Sequence, residues 1–383
     1  MRFSTLNEWL RWQEGLHPKS IELGLGRVAA VAGPLDLMSA RHGVVTVAGT
    51  NGKGSAVAMI EAMLRSAGYR VGAYTSPHLV RYNERVRVDG IEASDLSLCE
   101  AFAAVDAARK DVSLSYFEFG TLAAMDIFRR AEVDIAVLEV GLGGRLDAVN
   151  LWDADAALVT GVDIDHVEWL GSDREAIGRE KAGVFRSGQP AVCAERCPPA
   201  SLRDYAERIG ARWLGVGEQF DFSKTDRGWT WWNADIRWEH LPLPALAGDY
   251  QLGNAAGAVA AVCALGERFP VSRGAVETGL GTAWLPARLQ ILPGEVERIL
   301  DVAHNPHAAR ALARALGQRA CGGRTLAVLG MLADKDVEGV VGEMAASVDG
   351  WYLGGLEGPR GLSARALQDR TAAVLSAPPH HVA

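Results

Sequence analysis

Lys53 stands in the run Gly49-Thr50-Asn51-Gly52-Lys53-Gly54-Ser55, directly after the apolar, β-branched stretch Val44-Val45-Thr46-Val47. A helical pattern follows at once, with Ala56, Val57, Met59, Ile60, Met63 and Leu64. Strand, glycine-rich turn and helix form the context in which a loop holds phosphate. Glycines let successive N–H groups converge on phosphate oxygens, and the helix N-terminus adds partial positive charge. Lys53 is placed to reach the outer phosphates of a nucleoside triphosphate, and Ser55 offers a hydroxyl to Mg²⁺. Against the common spacing, the leading glycine falls on Val47 and the hydroxyl arrives one place late. A plain strand-to-helix turn with an exposed lysine is therefore the alternative.

Other polar residues close apolar strands. Ser76 follows the expected strand 70–75, Glu139 ends 134–140, and His166 follows 156–162. Open α/β sheets bind ligands just beyond the C-terminal ends of their strands. A carboxylate in an apolar strand is costly unless paired or metal-bound, and nucleotide-hydrolysing folds place one there for Mg²⁺. Ser76, Glu139 and His166 are thus candidate metal ligands, with Ser55 beside them. A Ser-Pro turn and a structural histidine are the alternatives. Four further features read as structural: Glu118 serves a helix start, Lys181 is a solvated lysine on a helix over 173–185, His17-Pro18-Lys19-Ser20 is a polar turn, and the tryptophans of 211–243 are packing. Asn254, on the apolar face of a helix over 250–268, needs a partner, either protein or nucleotide.

The elements that position these residues alternate between strand and helix. A helix is expected over 4–17 with Ser4 as its cap, another over 94–110 capped by Ser94, and another from Ser115 through Phe128. Trp284-Leu285-Pro286-Ala287-Arg288 reads as a domain boundary. Beyond it the spacing predicts strands at 298–302, 325–331 and 350–355 and helices at 307–316, 336–346 and 363–375. The fold class is α/β: a phosphate-loop domain over 1–285 with a mostly parallel sheet, then a smaller Rossmann-like domain over 286–383, short for a doubly wound unit. The 383 residues suit two domains, and 49% hydrophobic content suits large cores. A net charge of −8 argues against nucleic-acid and membrane-surface partners. The N-terminus lacks the apolar core of a signal peptide, and no apolar stretch approaches membrane-spanning length. Of the five cysteines only Cys193 and Cys197 are close, with no second ligand pair for zinc; they read as reduced thiols of a cytoplasmic protein. No guanine-specifying Asn-Lys-x-Asp occurs, which disfavours a GTPase.

The phosphate loop is similar to the ATP loop of the Mur ligases, which join a carboxylate to an amino acid. The segments LHPKSIELGL, TVAGTNGKGS, TSPHLVRYNERVRVDG, SYFEFGT, LEVGLGGRLDAVN, DIDHVEWLG, REKAGVFR, LPARLQ and DVAHNPHAA extend the resemblance from about residue 4 to about residue 375. Together they resemble the bacterial bifunctional dihydrofolate synthase/folylpolyglutamate synthases. That resemblance implies a Mur ligase central domain, a glutamate ligase C-terminal domain, and ATP-dependent addition of L-glutamate to dihydropteroate and to tetrahydrofolates through an acyl phosphate. It implies that Thr50, Asn51, Gly52 and Lys53 hold ATP phosphates, with Asn254, Arg288, Asp301 and His304 completing the nucleotide site. Ser76, Glu139 and His166 would bind two Mg²⁺ ions, with Ser55 a weaker ligand. His17, Pro18, Lys19, Ser20, Ser115, Tyr116, Phe117, Glu118, Arg145, Leu146 and Asp147 would line the pterin-benzoate pocket. The lysine matching Lys181 is commonly carbamylated in this superfamily, which overturns the solvated reading of that residue. A monomer is expected. The alternatives are a folylpolyglutamate synthase without dihydropteroate activity, and an ATP-binding protein inactivated by its short C-terminal domain.

Overall fold

A computed structural model describes residues 2–19, 21–319, 321–358, 360–375, 379 and 381–382. The chain divides into two compact units, one of residues 1–245 and 251–285, the other of 246–250 and 286–383. Among the described residues no helix is long and apolar enough to cross a membrane.

The first unit is built on strands β1 (Gly43–Ala48), β2 (Val71–Tyr74), β3 (Val86–Val88), β4 (Ile91–Glu92), β5 (Ile135–Glu139), β6 (Ala156–Val159), β7 (Pro190–Cys193) and β8 (Arg212–Gly215). They form one sheet in the order β4-β3-β2-β5-β1-β6-β7-β8. From β2 to β8 every pairing is parallel; β3 and β4 make an antiparallel edge. Every residue of β1 and β5 is buried, as a sheet covered on both faces requires. β5 and β6 are consecutive parallel strands, yet they flank β1 on opposite sides. Val47 of β1 lies level with both Glu139 of β5 and Leu158 of β6. The C-terminal ends of these three strands therefore finish together.

The helix Lys53–Ser66 leaves β1 and is buried continuously from Gly54 to Leu64. One of its neighbours is the helix Arg273–Thr282, which the sequence reading did not anticipate. Ser272 caps that helix, and Gly279 lies so close to Met63 that a Cβ would sit 2.5 Å from its backbone N. The tryptophan-rich stretch forms an antiparallel sheet of β9 (Phe220–Thr225), β10 (Gly228–Asn233) and β11 (Arg237–Leu241). Trp229 and Trp231 are buried and donate to the carbonyls of Pro242 (2.9 Å) and Ala256 (3.2 Å), so they are packing, as expected. The first helix is Leu6–Glu14, and its cap is Thr5 rather than Ser4. Thr5 Oγ1 accepts from the Glu8 N–H, and the Glu8 carboxylate accepts from the Thr5 N–H at 2.9 Å, a reciprocal box that a cap at Ser4 cannot close.

The second unit carries a hairpin, β12 (Gln290–Leu292) with β13 (Arg298–Leu300), and a parallel sheet in the order β14 (Leu326–Leu329), β15 (Gly350–Leu353), β16 (His381–Val382). Helices Pro306–Gly317, Val337–Met344 and Ala364–Thr371 alternate with the strands. Ala309, Val337, Val341, Leu353 and Leu367 are the heart of its core. The strand predicted at 298–302 is present as Arg298–Leu300, paired in a hairpin with Gln290–Leu292, and β16 was not anticipated.

Candidate functional site

The glycine-rich loop is locked by close packing. Gly49 and Gly52 have φ of 149° and 85°, and a Cβ would run into Thr160 Oγ1 at the first and Asn254 Oδ1 at the second. Gly52 opens the helix Lys53–Ser66, whose N-terminus no side chain caps. A helix start of this kind turns its first N–H groups toward an incoming anion. Thr160 Oγ1, just past β6, donates to the Asn51 carbonyl at 2.6 Å. Thr50 Oγ1 donates to the Asp163 carbonyl at 3.0 Å and accepts from the Asp163 N–H at 2.9 Å. Lys53 curls back, donating Nζ to the carbonyls of Gly49 (3.0 Å) and Thr50 (3.2 Å). Ser55 is buried and accepts from Gln251 Nε2 at 3.2 Å, while Gln251 Oε1 accepts from Asn254 Nδ2 at 2.9 Å. The partner that Asn254 needed is thus a protein side chain.

Beside the loop, Glu139 is 5% exposed at the end of β5, and one carboxylate oxygen accepts the Ser76 N–H at 3.1 Å. His166 has a left-handed backbone (φ 53°, ψ 44°) at the start of the short helix Val167–Leu170, and its N–H donates to Asp165 Oδ1 at 2.8 Å. Among the described residues no three His, Cys, Asp or Glu side chains converge as a metal-holding group. A buried carboxylate with hydroxyl and imidazole donors fits a hard divalent cation that keeps waters and substrate phosphates as its remaining ligands.

Lys181 is not solvated. It is 3% exposed and shares the inner face of the helix Arg174–Ala182 with Ile177, Gly178 and Ala182. Burial, then the like charge of Lys53, bring its ammonium down to about 7, against the pull of Asp165 and Asp147. Asp147 is buried as well and accepts N–H groups from Leu142 (2.8 Å) and Val149 (3.1 Å). Burial nonetheless pushes its carboxyl up to about 7. Two buried titratable groups of opposite sign, both shifted toward about 7 within one charge neighbourhood, make this a candidate functional site. Arg145 pairs with Glu180 at 2.8 Å, and the Leu146 carbonyl accepts the Gly24 N–H at 3.0 Å.

The N-terminal candidates form a second cluster. His17 bridges Ser113 Oγ (2.7 Å) and Glu22 Oε2 (2.6 Å), and Lys19 lies 3.7 Å from Glu22. Pro18 sits in the same turn, and Ser20 lies outside the described residues. Ser115 caps the helix Tyr116–Arg130, and Glu118 closes the capping box by accepting the Ser115 N–H at 2.8 Å. Glu118 also takes the Arg27 guanidinium, Nη2 to Oε1 at 2.8 Å, so its carboxylate is committed to the helix start and an ion pair. Phe117 lies 5.7 Å from Tyr74 and Tyr116 5.8 Å from Tyr82, ring to ring. Arg85 covers both Tyr82 and Tyr116 and donates to His78 Nδ1 at 2.8 Å, which ties this wall to the loop after Ser76.

In the second unit, Asp301 accepts N–H groups from Leu289 (2.7 Å) and Ala303 (2.8 Å), and burial raises its carboxyl. Arg288 donates to the Ala287 carbonyl at 3.1 Å, and His304 Nδ1 sits 2.9 Å from the Val302 carbonyl. Ala287 and Leu289, with φ of 52° and 46°, flank Arg288 in left-handed conformations that non-glycine residues rarely adopt. Sequence reasoning missed Thr160 and Gln251. Thr160 gives no local signal, whereas Gln251 precedes Asn254 by three residues on one helix, the spacing at which two amides meet.

Residues 47–262 match the Mur ligase middle domain, and residues 287–383 match the Mur ligase glutamate ligase domain. The dihydrofolate synthase/folylpolyglutamate synthase of Escherichia coli K12 is 48% identical over 364 residues, covering 95% of this chain and 85% of that protein. The structure of E. coli FolC in complex with DHPP and ADP superposes with a TM-score of 0.93 at 47% identity, covering 96% of this chain and 88% of that one. A bifunctional folylpolyglutamate synthase/dihydrofolate synthase with Mn, AMPPNP and L-glutamate bound gives 0.91 at 46% identity, covering 99% and 90%.

Proposed function

This chain belongs to the dihydrofolate synthase/folylpolyglutamate synthase family of Mur ligases, and from that premise we propose how its residues divide the reaction. It is an ATP-dependent ligase that forms carbon–nitrogen bonds to L-glutamate, with dihydropteroate and tetrahydrofolates as acceptors. The observation that carries the residue assignment is the level finish of β1 and β5, which sets the Gly49–Ser55 loop beside the buried carboxylate of Glu139.

The acceptor carboxylate attacks the γ-phosphorus of ATP; the bond to the ADP oxygen breaks and an acyl phosphate forms. The amine of L-glutamate then attacks the acyl carbon, inorganic phosphate leaves, and the amine proton passes to solvent. An unmodified carboxylate cannot follow this path, because its leaving group would be oxide. The backbone of Thr50, Asn51 and Gly52 cradles the phosphates. Lys53 leaves the carbonyls of Gly49 and Thr50 to neutralise charge on the transferred group, the main requirement of phosphoryl transfer. Ser76, Glu139 and His166 would hold Mg²⁺, with Ser55 a weaker ligand; the ion, when bound, would withdraw charge from the phosphate oxygens. Lys181 is assigned as a carbamate: its amine, about half of it neutral near pH 7, adds CO₂ and releases one proton, turning a buried cation into an anion that supports the metal. His17, Lys19, Tyr116, Phe117, Arg145 and Leu146 are assigned to the acceptor. Asn254 is assigned to the nucleotide.

Hydroxylamine tests the intermediate. With MgATP and dihydropteroate but no glutamate, we expect ADP and the hydroxamate of the acceptor to appear together. No hydroxamate, in an enzyme that forms dihydrofolate once glutamate is added, would exclude the acyl phosphate.

A further inference from the structure

On the outside of the Lys181 helix lies a cavity of about 320 Å³ whose walls include Arg145, Arg179, Arg208, Glu180, Trp169 and Tyr205. This is the small end of ligand-pocket sizes, roughly 300–1,000 Å³. Its charge is one-sided. Three guanidinium groups face one carboxylate, and that carboxylate already pairs with Arg145. Arg208 lies over the Tyr205 ring at 4.9 Å. Glu175, whose charge also interacts with Arg179, is held elsewhere: its oxygens accept the N–H groups of Ala200 (2.9 Å) and Ser201 (2.8 Å). Trp169, 41% exposed, supplies an apolar wall beside these cations. The cavity also adjoins the reaction site by sequence: Glu180 precedes the buried Lys181, and Arg145 stands two residues before Asp147.

We propose that this cavity is a subsite for the glutamyl chain of the acceptor, with Arg179 and Arg208 taking its free α-carboxylates. The proposal rests on the ligase reading above and extends it. A γ-linked glutamyl chain repeats one carboxylate and two methylenes per residue, so it presents alternating anionic and apolar segments. Cations set between aromatic rings match that pattern, and planar guanidinium forks suit carboxylates better than ammonium groups do. Dihydropteroate carries no glutamyl residue and leaves the cavity unused. The two activities then share one reaction centre, and the subsite is filled only once the glutamyl chain has grown beyond its first residue.

The test compares wild type with the Arg179→Gln/Arg208→Gln double variant, using pteroyl-monoglutamate and pteroyl-γ-triglutamate as equilibrium-binding probes with MgADP. Wild type should bind the triglutamate more tightly by roughly three- to tenfold, the range for two partly exposed charge contacts, and added salt should erode the difference. The double variant should lose that preference yet bind the monoglutamate as wild type does. KM for the corresponding tetrahydrofolates should split the same way, with dihydropteroate turnover unchanged. No tail preference in wild type, or an undiminished one in the variant, would overturn the subsite. If the tail preference holds while no folate supports glutamate-dependent phosphate release, the ligase reading falls and the anionic-chain site stands.

Discussion

Glu61 is buried and satisfied by a half-buried Arg87, whereas Lys181 and Asp147 are buried and their pKa values are drawn by burial toward about 7. Arg87 on β3 pairs with Glu61, on the phosphate-loop helix, at 2.7 Å, and donates Nη1 to Thr75 Oγ1 (3.3 Å) and the Glu84 carbonyl (3.1 Å). Arg27 and Glu118 repeat the pattern at the start of the helix Tyr116–Arg130. Every charge there meets its complement, and the result is position: one pair fixes the loop helix to the strand beside Ser76, the other fixes a capped helix. Around Lys53 and Lys181 two like charges lie within reach of each other, and burial is answered by a change of protonation. The contrast separates charges that hold the frame from charges free to change state during a reaction.

Substitution should break the two regions differently. Lys53→Ala should lower kcat by about 10²- to 10³-fold or more, the loss of one preorganised charge at a transition state, with the melting temperature nearly unchanged. Steady-state turnover and thermal unfolding check the two halves. Arg87→Met should do the reverse. It strands Glu61 in the core and should remove about 3 kcal/mol of stability in urea, while kcat per folded molecule holds. Equal loss of activity and stability in both variants would erase the distinction.

Lys181→Met sharpens the contrast through pH. The folded-state value near 7 lies below the ordinary 10.5, so between them the unfolded chain binds more protons than the folded one. In CO₂-free buffer, wild-type stability should therefore rise as pH climbs from about 7 toward 10.5, and the methionine variant should lack that rise. Turnover of the variant should be lost and partly restored by a small carboxylate such as acetate, which can stand where the proposed carbamate would. The smallest effect belongs to Gln251→Leu, which cuts the link from Ser55 to Asn254. It should cost roughly 1–2 kcal/mol of stability and raise KM for ATP a few-fold.

The phosphate loop and Glu139 were legible because each breaks a local rule: glycines between strand and helix, and an acid in an apolar strand. Lys181 was not, since a lysine on a polar helix is solvated by default; only its spacing with Ile177 and Gly178 on one side and Ala182 on the other betrays the inner face. Thr160 clamps Asn51 across 109 residues, and Arg27 meets Glu118 across 91, so no window of sequence holds either pair. The helix Arg273–Thr282 was hidden by Gly274, Gly279 and Gly281, which lower its intrinsic preference, while the packing of Gly279 on Met63 repays them only in three dimensions. β16 is two residues long, too short for any period to be read.

The most direct measurement is phosphate release from MgATP and L-glutamate by the wild-type protein, with dihydropteroate in one reaction and a tetrahydrofolate in another. Glutamate-dependent release is expected in both, and Lys53→Ala should silence both together. Silence of the wild type in both reactions, with ATP still bound, would contradict the account.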